Sequence, residues 1–166
     1  MKFVLNIKYI VTGVFCIICL NGCMGGMAGW KGHIVGQDNR IPLEKTAGKV
    51  HGIWKTGDLS LEYEYLIRKD SIQLDGGATL ADKLTYFSSL DYLSIMVQFL
   101  NGEGMVLGHE ILYFSASRPL IPMIKPSFSR SFLLPSETDA MSFSYSGKVS
   151  DGSGDDGIDW NFWTVP

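Results

Sequence analysis

Strict alternation of apolar and polar side chains sets in at residue 59 and marks the clearest element of the chain. Leu59, Leu61, Tyr63, Tyr65 and Ile67 alternate with Ser60, Glu62, Glu64, Leu66 and Arg68, a period of two that gives a β-strand one apolar and one mainly polar face. Arg68-Lys69-Asp70 reads as a turn. Ile72 and Leu74 then continue into an antiparallel partner, which Gly76-Gly77 is expected to weaken. Between Leu80 and Leu93 two periods compete: Leu80, Leu84, Phe87 and Leu90 recur at helical spacing, while Tyr86, Phe87 and Tyr92 favour strand. A short helix near 81–91 therefore stands as an alternative there. Leu93 to Leu100 is apolar on both faces apart from Ser94 and Gln98, as a central strand should be. Asn101-Gly102-Glu103-Gly104 tolerates positive φ, and Met105 to Phe114 returns as the second arm of a hairpin.

Pro119, Pro122 and Pro126 lack backbone donors and bias their predecessors toward extended conformations, so a long crossover or edge loop follows the hairpin. Phe128 to Leu134 and Met141 to Val149 read as strands on either side of Pro135-Ser136-Glu137-Thr138-Asp139, and Ile158 to Val165 as a last short strand after an Asp/Gly loop. Trp30 to Lys49, broken by Gly32, Gly36, Pro42 and Gly48, shows no steady period and reads as tether, loop and at most an edge strand. The whole is an all-β pattern of about seven to eight strands without βα alternation, which predicts an antiparallel sandwich, with a barrel as the alternative closure. The predicted organisation is a leader at 1–22, a tether and irregular segment at 23–48, and the sandwich at 49–166.

The amino-terminal segment has a different character. Lys2 and Lys8 precede an apolar run from Tyr9 to Leu20, and Leu20-Asn21-Gly22-Cys23 closes it. A run of about twelve residues is too short to span a hydrocarbon core that needs roughly twenty, whereas charge, apolar length, a small residue and a cysteine together make a secretion signal. The segment resembles a bacterial lipoprotein signal with its lipobox, Asn21 being the one departure from the usual small or aliphatic residue. That resemblance implies cleavage before Cys23, a diacylglyceryl group on its sulfur, often a further acyl chain on its nitrogen, and anchoring in the cell envelope. Met24 stands where inner-membrane lipoproteins often carry Asp, so the resemblance points to the outer membrane. The alternatives are an ordinary secretory signal and an uncleaved anchor. Gly25, Gly26, Ala28 and Gly29 would form a flexible tether.

Processing would discard Cys16 and Cys19 and modify Cys23, leaving no pair for a disulfide. The spacing Cys16-Ile17-Ile18-Cys19 is that of a redox pair, but its apolar setting is that of a signal core. A domain of about 144 residues can nevertheless bury close to 70% of its unfolded surface and hold itself by its core. Loss of Lys2 and Lys8 moves the formal net charge from −3 to −5, and the remaining basic residues are dispersed. Both observations argue against a nucleic-acid partner, which requires a clustered basic surface.

Candidate chemistry is sparse. Asp151, Asp155, Asp156 and Asp159 crowd one loop with Gly152, Gly154 and Gly157, and calcium takes oxygen ligands from such loops. Residues 151–159 resemble one calcium-binding nonapeptide of β-roll proteins, although a roll shares each ion between adjacent repeats and no second copy occurs. The EF-hand pattern fails, since Asp156 and Phe162 stand where glycine and glutamate are required. A solvated turn is the simpler reading. His33, His51 and His109 have no metal-site spacing, and no Gly-x-Ser-x-Gly elbow accompanies the many serines. Trp160 and Trp163 on the last strand should point to opposite faces, so one of them is a candidate for an exposed binding aromatic among tryptophans and tyrosines that otherwise suit a core.

Two further likenesses complete the reading. Leu93 through Asn101-Gly102-Glu103-Gly104 to Leu107, with Leu133-Leu134-Pro135 and Phe143, resembles immunoglobulin-like envelope sandwiches. The block Gly52, Trp54, Asp58-Leu59, Tyr63 and Tyr65 is similar to uncharacterised bacterial lipoproteins. Neither carries catalytic residues across. The expectation is a lipid-anchored envelope module that binds or assembles with an envelope protein and does no chemistry. A calcium-dependent adhesion domain and an envelope hydrolase are the alternatives.

Overall fold

The structure is a computed structural model that describes residues 30–45, 48–120, 125–151 and 157–166. It is an all-β sandwich of two antiparallel sheets. One sheet contains β2 (Val50–Lys55), β3 (Leu59–Arg68), β4 (Ser71–Leu80) and β7 (Ser127–Leu133), in that spatial order. The other places β5 (Ser89–Leu100) between β6 (Val106–Pro119) and β8 (Ala140–Asp151). The far edge of β8 is shared, its start pairing with β1 (Ile41–Pro42) and its end with β9 (Ile158–Thr164).

The pleat explains the core. Leu59, Leu61, Tyr63 and Tyr65 of β3 are buried, as the period of two requires, and meet Leu93, Ile95, Val97 and Phe99 of β5 together with Met141, Phe143, Tyr145 and Val149 of β8. Most of the sequence-predicted tyrosines on these strands serve the core, and so does Trp54, whose ring lies 5.7 Å from that of Phe143. β5 is central and apolar on both faces, as read from the sequence.

Three expectations need amendment. The Gly76-Gly77 pair does not end its strand, for β4 runs on to Leu80. A Cβ at Gly76 would stand 2.4 Å from the Glu62 carbonyl oxygen and 2.7 Å from the Phe128 ring, so glycine here permits close packing of β3, β4 and β7. The helix near 81–91 is a single turn, α1 (Asp82–Thr85), whose Leu84 is buried, and strand resumes at Ser89. The second hairpin arm extends beyond Phe114 to Pro119. Its turn needs Gly104, which has φ +87° and packs its Cα against the Arg40 guanidinium.

From Trp30 onward the amino-terminal segment lies on the outer side of the β5-containing sheet. Ile34 bridges to Met105, and Val35 is buried with Leu100, Val106 and Ala140 beneath Trp30. Arg40 fixes this segment by donating from Nε to the Val35 carbonyl at 2.9 Å. Among the described residues no helix is long and apolar enough to cross a membrane.

Candidate functional site

The two outer faces of the sandwich differ in chemistry, and that difference locates the candidate surfaces. On the β2–β3–β4–β7 sheet, His51, Glu64, Asp75 and Ser129 stand side by side across four strands. The neighbouring row is Ile53, Glu62, Gly77 and Ser127. Gly77 leaves that row one side chain short and opens a shallow hollow of about 690 Å³ walled by His51, Ile53, Glu62, Glu64 and Asp75, while Gly52 and Gly76 give backbone to its floor and turn their missing side chains toward the Tyr63 and Phe128 rings on the core side.

The hollow is acidic and its charges are partly committed. Glu64 pairs with Lys49 and lies 3.3 Å from His51 Nδ1. Its carboxylate raises the Lys49 ammonium above the ordinary lysine range, first through their hydrogen bond and then through charge. Asp75 accepts from Ser129 Oγ and, at 3.1 Å, from Gln73 Nε2. Ser129 thus donates to a carboxylate and His51 faces a different one. This row lacks the serine-to-imidazole contact that activates a nucleophile.

The other sheet presents a row of opposite character: Phe114, Ser94, Ser146 and Trp163 are register neighbours on β6, β5, β8 and β9. Two exposed aromatics, Phe114 at 63% and Trp163 at 65%, flank two serines, with no charged group in the row. Trp30 overhangs it and, with Tyr92, Met96 and Ile111, encloses a trough of about 260 Å³. Farther along the same face, the amide of buried Gln98 donates to Ser144 Oγ.

Compared with models of protein families, with curated proteins and with solved structures, the chain matches none of them.

The sequence-predicted residues distribute as follows. Cys23, Asp155 and Asp156 lie outside the described residues. Asp151 ends β8 and is exposed. Asp159 on β9 is held by Lys148 at 2.7 Å, and the same ammonium lies 3.8 Å from Asp91. Lys148 is correspondingly raised above the ordinary lysine range, chiefly by its hydrogen bond to Asp159. Among the described residues no three His, Cys, Asp or Glu side chains come together so as to hold a metal ion. His109 and Glu110 pair in register with Gln98 and Val97, hence on opposite faces as the strand period predicts. Trp160 and Trp163 also part: Trp160 lies opposite Val149 and lines a small hollow with Leu84 and Phe87, while Trp163 lies opposite Ser146 on the outer face. Both are exposed, Trp160 at 52%.

Sequence reasoning missed Phe114 and Ile111 as partners of Trp163. Residues three apart on a regular strand point to opposite faces. β6 carries an extra residue opposite the Ile95–Met96 step, which buries Leu112 and turns Ile111 and Phe114 to the same outer face. No local sequence signal announces that bulge.

Proposed function

We propose that this chain is a lipid-anchored protein of the bacterial envelope, held through Cys23 and favouring the outer membrane, whose sandwich is a non-catalytic binding or assembly module. The lipobox-like Leu20-Asn21-Gly22-Cys23 supports the anchor. The observation that carries the binding role is the glycine-floored hollow at His51, Ile53, Glu62, Glu64 and Asp75, a concave surface with an apolar edge and directed carboxylates. Such a surface suits a protein partner that offers a basic side chain beside an apolar one, since opposite charges steer and register the encounter.

The test is crosslinking in native membranes followed by copurification, comparing the natural chain with Glu62→Lys and Asp75→Asn. A partner recovered with the natural chain and lost with both variants supports the reading. Equal recovery with the variants, or recovery of no partner, rejects the hollow as the binding surface.

A further inference from the structure

We infer that the outer face of the β5-containing sheet, carrying Trp30, Phe114 and Trp163, lies on the lipid bilayer and turns the acidic hollow outward. This rests on the anchoring reading above and adds an orientation to it.

Three observations converge. The first is where the tether meets the domain. Seven residue steps separate Cys23 from Trp30 and reach at most ~25 Å when fully extended, and Trp30 sits on this face and no other. An acylated Cys23 would therefore hold this face at the membrane surface, where effective concentration is high and even weak contacts are populated.

The second is the chemistry of the face. The row Phe114, Ser94, Ser146 and Trp163 spans four strands, about 14 Å at the usual inter-strand spacing. It bears aromatic groups at its ends, hydroxyls between them and no charge. Ile111, also exposed, extends the apolar surface. Tryptophan and amphipathic rings settle at the headgroup level of bilayers, where an apolar body and a polar edge are both satisfied.

The third is the opposite face, where Glu62, Glu64 and Asp75 gather. Bacterial lipid surfaces are commonly anionic, so the acidic hollow is repelled, whereas the charges that adjoin the uncharged row on the other sheet, Lys148 with Asp91 and Asp159, are paired with one another. Charge and apolar area thus favour the same orientation of the sandwich.

The experiment uses the full chain purified from membranes and reconstituted into vesicles of phosphatidylethanolamine and phosphatidylglycerol with brominated acyl chains. Tryptophan emission should be quenched relative to unbrominated vesicles. Trp163→Phe should reduce the quenched part roughly two-fold, Trp30 remaining on the same face. Phe114→Trp should add quenched emission from the far end of the row. These substitutions fall on exposed rings, and unchanged circular dichroism confirms that each variant is folded.

Quenching that neither variant alters overturns the proposal. So does iodide access to Trp163 that is equal in vesicles and in detergent, which would leave the face open to a soluble ligand or a second copy. The mass of the Cys23 peptide separates the two readings. An unmodified cysteine overturns anchor and orientation together, whereas an acylated cysteine with lipid-insensitive Trp163 overturns the orientation alone.

Discussion

The Tyr145 hydroxyl donates a hydrogen bond to the Asp58 carboxylate at 2.8 Å and so ties β8 to the turn between β2 and β3 across the sandwich. The other Asp58 oxygen holds Lys83 of α1 at 2.7 Å, and Thr56 Oγ1 lies 3.0 Å from the same phenol. One side chain thereby joins both sheets and the helical turn at one end of the core.

Tyr145→Phe should cost about 1.5–3 kcal/mol, the usual worth of a hydrogen bond to a charged group. Equilibrium urea unfolding would measure it. Burial, together with Asp58 and against the opposing Thr56 bond, pushes the Tyr145 phenol up to about 12. An unfolded tyrosine ionises near 10, so the unfolded chain loses its proton first. Stability is fully present below pH 10 and falls as pH rises toward 12. Tyr63 and Tyr65 are raised as well, mainly by burial, and act in the same direction. Tyr145→Phe should therefore make the alkaline loss shallower without abolishing it. A curve parallel to that of the natural chain would contradict the Tyr145 contribution.

Gly147 and Phe162 should prove strongly coupled. A Cβ on Gly147 would stand 2.3 Å from the Phe162 ring, which is buried on β9 and packs 5.9 Å from the Tyr145 ring. Gly147→Ala is expected to cost about 1–3 kcal/mol through overpacking, and Phe162→Ala about 3–5 kcal/mol through cavity formation. The double variant should be less destabilised than the sum, because removing the ring relieves the clash. Thermal melts of the three variants give the coupling directly, and additive losses would mean that Gly147 is not the seat of the ring.

How much of this was legible follows from what alternation can report. The pleat of β3, the central position of β5 and the hairpin at Asn101–Gly104 follow from local pattern, because each needs only the residues within it. Gly76 read as a weakness because the Phe128 ring that requires its missing side chain comes from a strand distant in sequence, and the Glu62 carbonyl beside it is backbone of the hairpin partner, which no residue pattern reports. The hollow was illegible for the same reason, since β2, β3 and β4 each contribute to its walls and three glycines make its floor. The outer face escaped because an unannounced bulge changes the phase of β6. Trp163 was visible as a candidate only because its strand is regular.

A contrast between two buried serines tests the polar layer beneath Trp30. Ser142 Oγ and Gln98 Oε1 have no hydrogen-bond partner among the described residues, whereas Ser144 Oγ accepts from the Gln98 amide. Ser142→Ala removes an unsatisfied hydroxyl and should stabilise the fold by up to about 1 kcal/mol, while Ser144→Ala strands the amide and should cost about 1–3 kcal/mol. Urea midpoints moving in opposite directions are the expected result. A loss at both positions would show that the Ser142 hydroxyl is satisfied in solution.

The exposed row should be separable from stability. Phe114 and Trp163 are both more than half exposed, so Phe114→Ser and Trp163→Ser each lose little burial and should shift unfolding by no more than about 0.5 kcal/mol. Both variants should therefore accumulate as folded protein while changing whatever contacts this face makes. Trp160→Ser provides the comparison on the same strand. Its ring lines a small hollow with Leu84 and Phe87 and is less exposed than that of Trp163, so its loss should cost more than that of Trp163, on the order of 1 kcal/mol from the apolar area returned to water. Melting temperatures measured side by side would rank Trp160→Ser below Trp163→Ser and Phe114→Ser. If Trp163→Ser fell lowest, the ring would belong to the packing of β9 on β8, and the outer row would lose its standing as a surface kept for contact.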